Sequence, residues 1–305
     1  NCNRMKKIIL LYVLCIFGLS LYAQQVPNVL RRGGADSAEC REWVEKQLSE
    51  MSLKEKNRTV ILYIQSLLSI RSLTGRTYIM LLRNIRWAVC CSPADRWGNQ
   101  AILTNYAQEL SKVPLFIAFD GEWGLAMRLK NTPRFPRNRV LGCIQDNQLL
   151  YEYGKEVARQ CKEIGVQINF APVADVDINP RNPVINTRSF GGDPKNVAQK
   201  VVAYSRGLED GGVLSVAKHF PGHGDTEVDS HKALPVLNFD RARLDSIELY
   251  PFKEVIHAGL GGIMAGHLEV PELGKNPASL SAHVIDNLLC REWVSEDWCL
   301  QMHSK

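Results

Sequence analysis

At 305 residues the chain has room for one large α/β domain with a substantial core, and its ordinary composition excludes disordered and fibrous classes. Its net charge of +5 does not mark a nucleic-acid binder: residues 57–97 carry six arginines against one aspartate, the whole excess, and no RNA- or DNA-binding motif accompanies them.

The chain opens with a leader. Met5-Lys6-Lys7, an apolar run to Leu21 and the small Ala23 predict a secretory signal peptide over 5–23, with cleavage after Ala23. The run is short for a membrane span, so the mature chain is expected in the periplasm or outside the cell, with no membrane attachment. Of nine cysteines, Cys2 and Cys15 precede that cleavage point, and Cys90, Cys91, Cys290 and Cys299 lie in irregular stretches. The remaining trio, Cys40, Cys143 and Cys161, is odd in number and widely spaced, which argues against both disulfide stapling and a zinc site.

Residues 37–51 read as an amphipathic helix capped by Ser37, and Ser52 with Glu55 forms a capping box for another. Residues 57–99 mix apolar runs, arginines and the Cys90-Cys91 pair without a steady period, and no element is assigned there. From residue 113 the pattern becomes regular. A strand over 113–119 ends at Asp120; a helix over 147–165 carries Leu149, Leu150, Tyr153, Val157 and Cys161 on one side. A strand over 166–170, a helix over 193–211 and a strand over 212–217 follow. Next come a helix over 241–259, a strand over 262–266 that leads into His267, and a helix over 281–291. Strands recurring roughly every 50 residues with helices between them predict βα units on a parallel sheet. Each strand delivers a polar residue at its carboxyl end: Asp120, Asn169, Lys218 with His219, and His267. In a (β/α)8 TIM-type barrel that face carries the active site. A doubly wound sheet is the alternative, but a Gly-rich phosphate turn follows none of the strands.

Residues 217–231 break into Pro and Gly and hold three histidines, three acids and Lys218, which predicts an accessible loop. On an extended segment Asp229 and His231 point to the same side. The carboxylate can then hold one imidazole nitrogen while the other faces a substrate, a proton shuttle suited to neutral pH. A merely solvated turn is one alternative. A metal gathered by His219, His223 and His231 is another, although Pro221 and Gly222 disfavour the helix that the spacing of the first two would need.

Lys218-His219-Phe220-Pro221-Gly222-His223-Gly224, followed by Asp229-Ser230-His231, resembles the signature of glycoside hydrolase family 3 in its β-N-acetylhexosaminidase branch. The supporting segments are Asp120-Gly121-Glu122-Trp123-Gly124 to Arg128, Asn169-Phe170-Ala171-Pro172-Val173-Ala174-Asp175-Val176, Arg188-Ser189-Phe190-Gly191 and Met264-Ala265-Gly266-His267-Leu268. The resemblance covers residues 100–289, and 37–56 more faintly. It implies a barrel domain over 36–292, atypical at 57–99, that hydrolyses terminal β-linked N-acetylglucosamine of peptidoglycan- or chitin-derived fragments with retention. It further implies His231, paired with Asp229, as acid/base, and Asp120, Arg128, Arg188, Lys218 and His219 as ligands of sugar hydroxyls. No metal or cofactor is implied. Glu122 and Asp175 read as braces of a turn and a loop, Trp123 equally as a sugar platform or a packed aromatic, and His267 equally as a ligand contact or a satisfied histidine.

Retention also requires a carboxylate nucleophile about 5 Å from the acid/base group. In the family this is an Asp after a Gly-Phe-x-Gly-apolar strand, which the atypical tail 293–305 does not match; Asp297 is a weak substitute. A one-base frame shift over 292–304 is compatible with the missing strand, and a similar slip with 57–99. The expectation is therefore a barrel incomplete or perturbed at its first strands and C-terminal end, with little turnover. An inactive sugar-binding barrel and a metal-dependent hydrolase are the alternatives, and a C-terminal partner domain would lie outside this chain.

Overall fold

The computed structural model describes residues 42, 45–46, 49–50, 61–64, 87–90, 95–110, 114–229, 232–293 and 301–303. The leader at 5–23, the caps at Ser37 and Ser52, Asp297 and His231 lie outside them. Of the helix expected over 37–51, the described residues Glu42, Glu45, Lys46 and Ser49 are helical.

In chain order the elements are β1 (Ile61–Ile64), β2 (Trp87–Cys90), β3 (Asp95–Arg96), α1 (Trp97–Leu110), β4 (Phe116–Phe119), β5 (Leu129–Lys130), α2 (Asn138–Leu141) and α3 (Asn147–Glu163). There follow β6 (Ile168–Asn169), α4 (Pro194–Asp210), β7 (Leu214–Phe220), α5 (Arg241–Ser246), α6 (Tyr250–His257), β8 (Gly262–Ala265), a π-helical segment (His283–Trp293) and β9 (Gln301–His303). One sheet runs β1-β2-β4-β6-β7-β8-β9, and β3 and β5 form a separate pair. Every neighbouring pair is parallel. Strands taken in chain order with helices between them are the topology of a TIM-type (β/α)8 barrel, as expected.

Several local expectations need correction. The unassigned stretch 57–99 supplies β1, β2 and β3, and the atypical tail supplies β9, parallel to β8. Strand β4 starts at Phe116 rather than at 113 because Pro114 has no N–H and both backbone groups of Leu115 bond the Gln108 amide, at 2.9 and 2.8 Å. The helix expected over 241–259 is two helices. Pro251 at the start of α6 cannot donate and its ring clashes with the carbonyl four residues back, so the first helix ends at Ser246. On α3, Leu150, Val157 and Cys161 are buried as expected, but Leu149 is 56% exposed.

Helices α3 and α4 are capped by Asp146 and Asp193, whose carboxylates accept from Gln148 N and Lys195 N. They cross glycine on glycine. A Cβ on Gly207 would lie 2.1 Å from the Tyr151 carbonyl oxygen, so only glycine lets the two backbones approach this closely. Behind them Tyr204, Leu208, Val157 and Leu150 pack toward Ile117 and Phe119 of β4 in one continuous core.

Candidate active site

The carboxyl ends of β4, β6 and β7 are sewn together. Asn169, last in β6, clamps the turn after β4: its Oδ1 accepts from Gly121 N at 3.0 Å and its Nδ2 donates to Gly121 O at 3.2 Å. Beyond Asn169 the chain continues beside β7, with Val216 N donating to Ala171 O, Lys218 N to Pro172 O, and Ala174 N to Lys218 O. Strand β7 therefore runs three residues past its expected end at Ala217, and Lys218 and His219 belong to the sheet rather than to a loop. The peptides Ala171–Pro172, Lys218–His219 and Phe220–Pro221 are cis.

This frame gathers six charged side chains and one imidazole. Lys218 Nζ stands 2.6 Å from Asp120 Oδ1 and 2.9 Å from Glu122 Oε1. Arg128 also pairs with Asp120. Arg188 clasps Glu122 through Nη2 at 2.6 Å and Nε at 3.0 Å. Its Nη2 lies 3.2 Å from His219 Nε2, and His219 Nδ1 lies 2.7 Å from Asp175 Oδ2. Three carboxylates thus face three permanent cations, and the cluster is neutral within itself.

Burial alone would raise the Asp120 and Glu122 pKa values. The Lys218 ammonium, with Arg128 beside Asp120 and Arg188 beside Glu122, outweighs it, and both carboxyls are held below their ordinary values. For Lys218 burial works downward, and the two carboxylates push the ammonium above its ordinary value instead. Burial lowers the His219 pKa and prevails over Asp175, with Arg188 and Lys218 acting in the same direction. At neutral pH the site therefore holds ionised pairs around a neutral imidazole.

The loop after β7 is pinned at its root. His223 N donates to Asp175 Oδ1 at 2.7 Å, Asn182 Nδ2 donates to the His223 and Gly224 carbonyls, and His223 Nδ1 lies 2.5 Å from Thr226 Oγ1. A Cβ on Gly224 would lie 1.9 Å from the Val176 carbonyl oxygen, so the loop backbone lies flat on the segment after β6. Farther out, Glu227 and Val228 are exposed. Asp229 O accepts from Lys232 N and Ala233 N.

All five expected sugar ligands, Asp120, Arg128, Arg188, Lys218 and His219, are brought together. Asp229 sits half-buried on the loop, and its expected partner His231 lies outside the described residues. Glu122 and Asp175, read from sequence as braces, are fully buried members of the charged cluster. For Glu122 the signal was present: Asp120 and Glu122 are two apart at a strand end, the same spacing that singled out Asp229 and His231. His267 is a satisfied histidine, its Nδ1 2.8 Å from Ser279 Oγ, and the Arg137 guanidinium lies over the Trp123 ring at 4.8 Å. Both nitrogens of His219 are engaged by Asp175 and Arg188. Among the described residues no group of three or more His, Cys, Asp or Glu is placed to hold a metal. Cys143 and Cys161 are free thiols.

Residues 94–295 match the model of the glycosyl hydrolase family 3 N-terminal domain. The chain is 37% identical over 210 residues to beta-hexosaminidase A of Pseudoalteromonas piscicida, covering 63% of this chain and 35% of that protein. It is 39% identical over 205 residues to beta-hexosaminidase LpqI of Mycobacterium tuberculosis, covering 63% and 52%. Its span is thus between about a third and about half of the length of these relatives. Among solved structures, a glycoside hydrolase family 3 beta-N-acetylglucosaminidase from Paenibacillus sp. str. FPU-7 superposes with a TM-score of 0.75 at 33% identity, over 83% of this chain and 49% of that one. NagZ from Neisseria gonorrhoeae, solved with N-trifluoroacetyl-D-glucosamine, gives 0.68 at 29% identity, over 77% and 70%. The strand-end cluster lies inside the matched region, and by its N-terminal domain the chain belongs to glycosyl hydrolase family 3.

Proposed function

We propose that this domain seats a terminal β-linked N-acetylglucosamine and that, in the complete enzyme, His231, steadied by Asp229, gives a proton to the leaving oxygen while a carboxylate nucleophile takes the sugar carbon, water then releasing the sugar with retention. The observation that carries this reading is the self-neutralised cluster at the strand ends. A pocket for a phosphate or carboxylate would keep a surplus of cations, whereas balanced pairs offer charged donors and acceptors without a net field. Such groups make stronger hydrogen bonds to neutral hydroxyls than uncharged ones do. The beta-hexosaminidase names of the relatives point to the same sugar. The leader-like stretch at 5–23 supports a substrate outside the cytoplasm.

The buried carboxylates hold rather than attack. Asp120 and Glu122 are each shared between two cations, and Asp175 is taken by His219 and the His223 backbone. A retaining nucleophile must come from elsewhere. Asp297 precedes β9 in chain order, whereas the site forms at the carboxyl ends of the strands. The proposal is therefore sugar binding with little turnover by this chain.

Calorimetry should detect saturable binding of N-acetylglucosamine, lost in Asp120→Ala, while release of nitrophenol from a nitrophenyl β-N-acetylglucosaminide stays near the blank. No binding by the unaltered chain would end the sugar reading. Brisk release abolished by Asp297→Asn would show that the nucleophile is present after all.

A further inference from the structure

A carboxylate only accepts hydrogen bonds and a guanidinium only donates them. His219 stands between one of each, with Nδ1 facing Asp175 Oδ2 at 2.7 Å and Nε2 facing Arg188 Nη2 at 3.2 Å. An imidazole satisfies both in one form alone, neutral with its proton on Nδ1. Protonation of Nε2 would set a donor against a donor.

Asp175 is fully buried, and its two oxygens serve different parts of the molecule. Oδ2 takes the His219 ring. Oδ1 accepts from His223 N at 2.7 Å, and from His219 N at 3.3 Å. His223 is the root of the loop that leads to Asp229, held there by Asn182 and Thr226 as well. One carboxylate therefore fixes a side chain in the sugar cluster and the root of the loop that leads to Asp229.

We propose that Asp175 is a positioning residue that joins the sugar grip to the acid/base loop: it locks His219 as the neutral Nδ1–H tautomer, so that Nε2 meets a substrate hydroxyl as an acceptor, and it fixes the backbone from which the loop departs. This rests on the functional reading above. An incoming hydroxyl donates to Nε2 and shares or replaces the Arg188 contact.

The test has two independent readouts. Long-range nitrogen–proton correlation spectra of the unaltered chain at neutral pH, without sugar, should show His219 with a protonated Nδ1 and a bare Nε2; the variant His219→Asn assigns the signals. An imidazolium, or a proton on Nε2, overturns the proposal, and this measurement needs no foldable Asp175 variant. Asp175→Asn keeps the shape but can accept at only one of the two oxygen positions, so either the His219 ring or the backbone donors lose their acceptor. It should disturb the tautomer and weaken N-acetylglucosamine binding about tenfold. Added to His219→Asn it should cost nothing further, because both changes remove the same interaction. Full additivity, or an unchanged tautomer in Asp175→Asn, would reduce Asp175 to scaffolding and overturn the proposal. Failure of the unaltered chain to bind the sugar would instead overturn the functional reading, and the tautomer spectra would still judge Asp175.

Discussion

Two buried glutamates at opposite ends of the sheet meet opposite fates. Glu122, at the carboxyl end of β4, lies between Lys218 and Arg188, and its carboxyl is held below the ordinary value despite complete burial. Glu209, at the end of α4, sits against the amino ends of β7 and β8. It accepts from Ser215 Oγ and Gly261 N, both at 2.7 Å, and its Oε2 has no hydrogen-bond partner among the described residues. With neutral donors and no ion pair among the described residues, burial pushes its carboxyl up to about 7. Neighbours, not depth, decide whether a buried acid carries charge. The end that carries charge is the end where a ligand would need it.

The signs of the pH effects follow. Asp120 and Glu122 are depressed, so their contribution to stability is present above their ordinary values of 3.8 and 4.5 and is lost as pH falls through the lowered folded values. Glu209 is raised. Its contribution is complete below its ordinary 4.5 and is lost as pH rises through about 7.

The largest expected effect is at the charged end. Lys218→Met leaves Asp120 and Glu122 without their shared cation and should cost about 3–5 kcal/mol in urea denaturation at neutral pH, with the cost shrinking in acid. A loss under about 1 kcal/mol would mean that the two ends are energetically alike after all. Next comes the neutral end. Between pH 4 and 8 the unaltered chain should lose on the order of 3 kcal/mol relative to Glu209→Gln, in which the other titrating groups are retained. The same slope in both would assign the titration to another group. The smallest effect sharpens the picture. Ser215→Ala removes one neutral donor and should lower stability by about 1 kcal/mol, while moving the Glu209 midpoint to still higher pH.

The site was legible in sequence where a strand end names its own chemistry. Asp120, Lys218 and His219 follow apolar runs, and their motifs carry a family resemblance with them. Asp175 was harder to place, because its role depends on which residues the neighbouring strand sets opposite it, and periodicity along one chain does not encode that. Helix α1 went unread where polar and apolar positions mix: among its described side chains Gln100, Thr104 and Ala107 are buried while Ile102 and Tyr106 are exposed. Strands β1 and β2 lie among arginines without alternation. Lys218 looked like a loop residue for a related reason. A lysine inside a strand is tolerated there only because two acids neutralise it, and those acids come from 98 and 96 positions earlier in the chain.

Backbone pairing carries β7 through Lys218 and His219 to Phe220, whereas Asp229 lies nine residues farther on, half-buried beside the exposed Glu227 and Val228. On the proposed reading, recognition therefore rests on paired sheet, and proton delivery on the loop that follows it. On that reading, substitution at Glu227 or Val228, both exposed, should change cleavage by the complete enzyme while sugar affinity stays close to that of the unaltered chain.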